Sequence, residues 1–395
     1  MTDMPTLPFD RPDVLTLAPT MRELQESGPI VRVRTAAGDE AWLVTRYDEV
    51  KTLFADPRLG RTHPKPDEAA KVSESALLGG AHDGYDTEDA DHARMRSRLV
   101  PRFSARRMRL LKPRVEAMVD TLLDGLADLE QPANLHEALS FPLPVLVICE
   151  LLGVPFADRE YFRGLSTAMA DLHDHDRSAS AFQELTDYVR DLVRRKRIEP
   201  GNDMLTELPE IEDGGLSDDE VAGLGAVVLF AGHETTVVRI DLGTVLFAAN
   251  PDQIDLLLRD PGRVPAAVEE VLRLSTGGGG TGLPRYARTD IDVGGVTIRR
   301  GEAVLLAVGA ANQDEGAFPD ADRMDVARDH PNPHVAFGHG ARYCIGAALA
   351  RIELTAVFER LFVRFPRLRL AVPVRELEWR KHLLTGGFAD VPVTW

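Results

Sequence analysis

The segment 217–250 sets the terms for the whole chain. It runs as far as Asn250 without proline and is mostly apolar through Leu224, Val227, Val228, Leu229 and Phe230. Ser217-Asp218-Asp219-Glu220 opens it as a capping box, in which the serine hydroxyl satisfies the amide three residues on and the glutamate reaches back. Roughly thirty residues at about 1.5 Å each give a helix of about 45 Å, the width of a domain. A helix this apolar must run through the core. In its middle sits Ala231-Gly232-His233-Glu234-Thr235-Thr236. A charge and two hydroxyls inside a buried helix are costly unless partnered or wet. A threonine there can also bond back to a carbonyl and bend the helix. Two readings stand: a polar patch on an exposed turn, or a chemical site in the core.

Helical patterns fill most of the remaining chain, and short strands fall near its two ends. Residues 29–45 alternate apolar and polar around Gly38-Asp39, which predicts a hairpin. Residues 60–91 are rich in Gly, Pro, Asp and His and read as one long loop; loops of that length are functional or disordered. Several amphipathic segments cover 106–197. Strand-like patterns return over 281–297 around a Gly294-Gly295 turn, 312–340 is irregular, 345–365 is helical, and the rest is extended to Trp395. With no repeat and no low-complexity linker, a single domain over 1–395 is expected.

Composition excludes several functions. The formal charge is −17, from 46 basic and 63 acidic residues, which argues against nucleic acid as a partner. The N-terminus carries Asp3 and Pro5 where a signal peptide needs basic residues and then an apolar run, and the apolar stretches 145–156 and 225–232 fall short of the ~20 residues a membrane span needs. Two cysteines cannot make a disulfide framework. The expected setting is the reducing cytoplasm, with no membrane and as a monomer.

The stretch 337–346, Phe-Gly-His-Gly-Ala-Arg-Tyr-Cys-Ile-Gly, carries the most chemistry. Gly338 and Gly340 allow positive φ and a tight loop. Cys344 follows immediately before a helical pattern, where free amides and the helix dipole are expected to lower a thiol's pKa and favour a metal-bound thiolate. Cys149, inside an apolar helix, reads as a small core residue. His330, His334, His339 and Cys344 lie close together, but Pro331 and Pro333 interrupt them and no zinc-ligand spacing matches.

These motifs, taken together, resemble a cytochrome P450 of the soluble bacterial type over nearly the whole chain. The Cys loop fits F-G-x-G-x-[H/R]-x-C-x-G, and Ala231–Thr235 fits A-G-x-[D/E]-T. Glu270-Val271-Leu272-Arg273 fits E-x-x-R, and His92 with Arg96 fits H-x-x-x-R. The resemblance implies a mainly α fold with small β-sheets. It also implies heme b, with Cys344 as thiolate ligand and metal-binding residue, Phe337, Gly338 and Gly346 shaping the loop, and thiolate donation that favours O–O cleavage. His92, Arg96, Arg285 and Arg342 fall at the propionate positions; many bacterial members have His where this chain has Arg342. Glu270 and Arg273 share a helix face and, with Arg323, make the family's structural triad; the residues alone also fit a solvated ion pair. Glu234 and Thr235 match the catalytic acid–alcohol pair that passes protons over the distal face while excluding bulk water.

The implied activity is a monooxygenase using O2 and electrons from NAD(P)H through ferredoxin reductase and ferredoxin. The substrate is a small organic secondary metabolite, to be hydroxylated, epoxidised or oxidatively coupled. A peroxygenase or isomerase, and a non-catalytic heme protein, are the alternatives; the presence of Thr235 favours O2. Nine basic residues between Arg94 and Arg114, with no acid among them, suggest a docking face for an acidic ferredoxin or simply a solvated face. Pocket walls are expected from Val227, Phe230, Ala231, Thr281, Leu283 and Thr385, with His82, Asp83 and Tyr85 as polar anchors. The Gly277–Gly280 run is either a linker or room for a bulky ligand.

Overall fold

The central segment is helical over Asp218–Ala249, and both halves of its capping box form. Ser217 Oγ accepts from the Glu220 amide at 3.2 Å, and Glu220 Oε2 accepts from the Ser217 amide at 2.9 Å. The computed structural model describes residues 4–75, 79–208, 216–275, 284–329 and 332–395. Within them the helices, in chain order, are α1 (Pro19–Ser27), α2 (Tyr47–Ala55), α3 (Glu88–Leu99), α4 (Ala105–Ala127), α5 (Pro142–Leu152), α6 (Arg159–Met169) and α7 (His175–Ile198). They continue with α8 (Met204–Glu207), α9 (Asp218–Ala249), α10 (Pro251–Arg259), α11 (Val264–Leu274), α12 (Val308–Asn312) and α13 (Ala347–Arg364). The strands are β1 (Ile30–Arg34), β2 (Glu40–Val44), β3 (Leu59–Gly60), β4 (Ala133–Asn134), β5 (Arg285–Ala287), β6 (Ile291–Val293), β7 (Val296–Ile298), β8 (Ala303–Leu306), β9 (Arg369–Leu370) and β10 (Pro392–Thr394). The architecture is mainly α with small sheets.

α9 packs against α5, α7, α10, α11 and α13. It is long and apolar enough to cross a membrane by composition, but most of its apolar stretch is buried inside the protein. The largest hydrophobic cluster gathers around it, from Met108 on α4 through Ile148 on α5 to Phe358 and Phe362 on α13.

The predicted hairpin is β1–β2, antiparallel from Ile30↔Val44 to Arg34↔Glu40, with Gly38 at φ +92° in its turn. β2 also pairs in parallel with β8, giving the sheet order β1-β2-β8-β5-β3. β8 is buried at all four positions, a continuous apolar run that no periodicity separates from helix. The expected 281–297 strands appear as β5, β6 and β7 among the described residues, and Gly294 and Gly295 turn at φ +55° and +80°. The 60–91 loop is interrupted by a short 3-10 turn at Pro66–Glu68 and ends where α3 begins, at Glu88. The C-terminal stretch is not continuously extended: only β9 and β10 are strands, with a 3-10 turn at Val374–Glu376 between them.

Candidate active site

Cys344 stands between a glycine loop and the start of α13. Gly338 and Gly340 adopt φ of +71° and +73°, and a Cβ at Gly340 would come within 2.9 Å of Ala55 Cα, so the loop closes against the end of α2 only with glycine there. The Cys344 amide donates to Phe337 O at 3.0 Å and fixes the loop's width. The Phe337 ring is covered by Arg351 of α13, whose guanidinium lies 4.7 Å from the ring centroid. Arg351 also grips Glu269 of α11 with two bonds, at 2.6 and 2.9 Å, while His334 Nε2 approaches the same carboxylate at 3.2 Å. This Glu269–Arg351–Phe337 support was not foreseen, because nothing in the spacing of the three residues links them.

The thiol departs from the sequence expectation. Burial pushes it above its ordinary value, against the Gly346 amide, the charges of Arg96 and Arg351, and the Ala347 amide, all of which pull it down. Yet Cys344 is solvent-accessible. A sulfur that is accessible but densely surrounded lies on the wall of a concavity, with donors and positive charge aimed at it.

Next to it lies a cluster of cations. Arg96 donates to Tyr343 O in the Cys loop at 2.8 Å. Burial, with mutual repulsion from Arg61 and Arg342, lowers the Arg285 guanidinium to about 9, and burial lowers Arg61 to about 10. His92 is held below its usual value by burial and by the charges of Arg342 and Arg96. The sequence reading missed Arg61, although it lies at the mouth of the 60–91 loop; its Nη2 donates to His82 at 2.9 Å and its buried Nη1 has no partner. It also missed Glu88, which accepts from Arg342 at 2.6 Å, from Arg288 at 2.7 Å and from the Arg61 amide at 2.8 Å. One carboxylate shared among these guanidiniums leaves surplus positive charge and an orphaned donor. The two propionates of heme fit that surplus.

On α9, Val227, Ala231 and Thr235 are exposed although most of the helix around them is buried. Steps of four residues put them on one line of the helix, so that line faces an internal void rather than packed side chains. Phe230, expected on the same wall, is instead 7% exposed and belongs to the core, turned off that line. Thr235 Oγ1 donates to Ala231 O at 2.8 Å, the back-bond anticipated from sequence. Glu234 accepts from Thr385 Oγ1 at 3.3 Å, which brings the C-terminal loop to α9. Burial raises the Glu234 carboxyl, but His233, Arg380 and Thr385 together outweigh it and hold the group below its ordinary value. Thr281, Leu283 and the Gly277–Gly280 run lie outside the described residues, as does His330 of the zinc reading. Among the described residues no three metal-ligating side chains converge.

The triad needs correction. Glu270 and Arg273 are fully buried and joined by two bonds of 2.8 Å, as expected. The third side chain is Arg328, not Arg323: Arg328 Nε donates to Glu270 Oε1 at 3.0 Å. Arg323 is exposed and offers only its carbonyl, to Arg273 Nη2 at 3.3 Å and to Arg328 Nη2 at 2.9 Å. Periodicity could not choose between two arginines in an irregular segment. Asp320, in this segment, takes a left-handed φ of +52°. Arg273 further donates to Asn312 O and Ala321 O at 2.8 and 2.6 Å, so the triad anchors the strandless segment that leads to the Cys loop.

The cytochrome P450 family model matches residues 264–375, the span from α11 through the Cys loop and α13. The chain is 55% identical over 401 residues to pentalenolactone synthase of Streptomyces exfoliatus, covering 100% of both. It is 40% identical to mycinamicin IV hydroxylase/epoxidase of Micromonospora griseorubida, covering 98% of each chain. The fold superposes with a TM-score of 0.90 on the substrate-free cytochrome P450 PimD, a polyene macrolide antibiotic pimaricin epoxidase, at 44% identity and with 100% of both chains covered. Loop, buried triad and accessible line on the core helix, found together with these likenesses, leave one conclusion: the chain belongs to the cytochrome P450 family, whose members carry heme b on a cysteine thiolate, and it is a monooxygenase of secondary metabolism.

Proposed function

We propose that Cys344 is the thiolate ligand, that His92, Arg96, Arg285, Arg342 and Arg61 hold the propionates, and that Thr235 with Glu234 serves proton delivery. Electrons come from a ferredoxin, reduced by NAD(P)H through its reductase, and the setting is the cytoplasm. The substrate is a small organic secondary metabolite that is hydroxylated, epoxidised or oxidatively coupled. The likeness to pentalenolactone synthase and to the mycinamicin and pimaricin enzymes supports that substrate class.

The observation that carries the reading is the accessible line Val227–Ala231–Thr235 inside a helix that is mostly core, flanked by a carboxylate tethered to the C-terminal loop. Heme b supplies the reductive activation of O2 when bound. The chain's own residues do the rest. With its proton committed to Ala231 O, the Thr235 hydroxyl keeps both lone pairs free and can accept a hydrogen bond on the side of the void. Glu234, adjacent in sequence and kept anionic, gives protons a route from the Thr385 loop while the packed helix excludes bulk water.

Two measurements test it. The reduced, carbonyl-bound protein should show the red-shifted Soret band of thiolate ligation, and Cys344→Ala should lose it. Thr235→Ala should lower product formed per NAD(P)H by roughly 10²-fold and divert electrons to hydrogen peroxide. Turnover that needs only peroxide, and is indifferent to Thr235→Ala, would instead select the peroxygenase reading.

A further inference from the structure

The accessible line on α9 continues one step beyond Thr235, to Arg239. Among the described residues Arg239 makes no hydrogen bond and no ion pair, although it lies in the middle of the core helix and is only partly accessible. Five other guanidiniums near the site have carboxylate partners, and Arg61 and Arg285 belong to the cationic cluster assigned to the propionates. Arg273 and Arg328 bind Glu270, Arg351 binds Glu269, and Arg288 and Arg342 bind Glu88. Glu353 of α13 is a buried carboxylate with an unpartnered Oε2, but it does not pair with Arg239. Burial pushes Glu353 well above its ordinary range and so disfavours its charged form. Burial also lowers Arg239, but only to about 10, so the guanidinium remains charged near neutral pH. A lone enclosed cation is unfavourable unless a ligand completes it.

We infer that Arg239 is a specificity-determining residue of the distal pocket and that the substrate is an organic acid whose carboxylate pairs with this guanidinium. The inference rests on the monooxygenase reading of the same site. Three observations favour a carboxylate carried by the substrate. The planar fork of arginine matches a carboxylate with two parallel bonds. The line offers a single cation among Val227, Ala231 and Thr235, which suits one negative charge rather than a phosphate dianion. The propionates have their own cations on α3, on β5 and in the Cys loop, none of them on α9. Arg239 lies one helical turn, about 6 Å along the axis, from Thr235. The acid group is therefore held beside the reacting carbon, and it fixes which carbon is presented.

The test uses ω-(imidazol-1-yl)alkanoic acids of graded chain length and their methyl esters, titrated into the heme-loaded protein and read from the Soret shift on azole ligation. At the chain length that lets the acid reach Arg239, wild type should bind the acid about tenfold or more tightly than its ester. Arg239→Gln should abolish that preference and leave ester affinity in place, and Arg239→Lys should retain part of it. If Gln is not tolerated, Arg239→Met serves the same comparison. Equal binding of acid and ester by wild type at every length, or a preference that survives Arg239→Gln, overturns the inference. A protein that shows no thiolate-type Soret band at all would instead overturn the monooxygenase reading, so the two failures are distinguishable.

Discussion

Arg323 and Arg328 lie five positions apart, yet only Arg328 commits its side chain to Glu270. Glu270 and Arg273 have no exposed side-chain surface, so removing one partner leaves charge uncompensated in the core. Arg328→Ala should therefore cost about 3 kcal/mol and weaken heme retention. Arg323→Ala, which keeps the carbonyl that Arg273 uses, should stay within about 0.5 kcal/mol. Urea midpoints of the two variants decide between the observed triad and the one the sequence suggested. Glu88 gives a second residue-scale prediction. Burial raises its carboxyl, but Thr62, the Arg61 amide, Arg288 and Arg342 overcome that and hold it at about 2, below an ordinary 4.5. A depressed folded-state value contributes stability that is complete above the unfolded value and lost as pH falls toward the folded one. The stability gap between wild type and Glu88→Gln should therefore be constant near neutral pH. It should shrink as pH falls from about 4.5 to about 2. A gap that widened on acidification would contradict the assignment.

At the scale of elements, α9 shows what the chain made legible and what it did not. Its start, its length and its burial follow from the capping box and the apolar run, and the back-bond of Thr235 follows from a threonine in a core helix. The β1–β2 hairpin and the glycine turn between β6 and β7 were equally plain, because turn chemistry is local. What was hidden depends on distant partners. β8 has no periodicity of its own and gains its place only by pairing with β2. Arg61 and Glu88 join the cationic cluster only because a loop folds back on α3, and Phe230 turns from pocket to core by about 60° of helix rotation relative to Val227. The glycines of α9 are not equivalent. At Gly243 a Cβ would overlap the Phe358 ring and come within 2.9 Å of Val271 Cγ1. Phe358 cannot give way, since it is 1% exposed and held against Phe247 and Phe362. At Gly223 nothing lies within 4 Å. Gly243→Ala should then destabilise by about 1–3 kcal/mol through overpacking. Gly223→Ala, on the same helix, should gain up to about 1 kcal/mol from helix propensity. Thermal midpoints of the heme-loaded variants, moving in opposite directions, are the expected result.

Across the whole molecule, charge would decide where the ferredoxin proposed above approaches. The nine cations from Arg94 to Arg114 stand out in a chain of net charge −17, and in sequence they face no acid. Folding supplies acids from elsewhere. Arg94 is paired with Glu220, Arg102 and Arg107 with Glu207, Lys112 with Glu116, and Arg114 with Glu150. The patch is thinner than the count implies, and Arg107 in particular is held by an anchor. Arg106 and Arg109 are exposed at the start of α4 without an ion pair among the described residues. α4 packs on α13, the helix that begins behind Cys344, and Lys112 lies beside Glu269 and Arg351, which brace the Cys loop. On the proposed ferredoxin reading, a negative partner drawn to Arg106 and Arg109 would meet the helix that packs on α13 behind Cys344. Reversing both, as Arg106→Glu with Arg109→Glu, should slow ferredoxin-driven reduction by about tenfold at low salt. Reduction by dithionite should not change. The defect should fade above about 0.1 M ionic strength, where screening reaches ~10 Å. Neutralising Arg107 should matter less for rate than for stability, since its charge is already matched by Glu207. Stopped-flow reduction across a salt series separates these effects, because steering by free charges carries a salt slope and a structural defect does not.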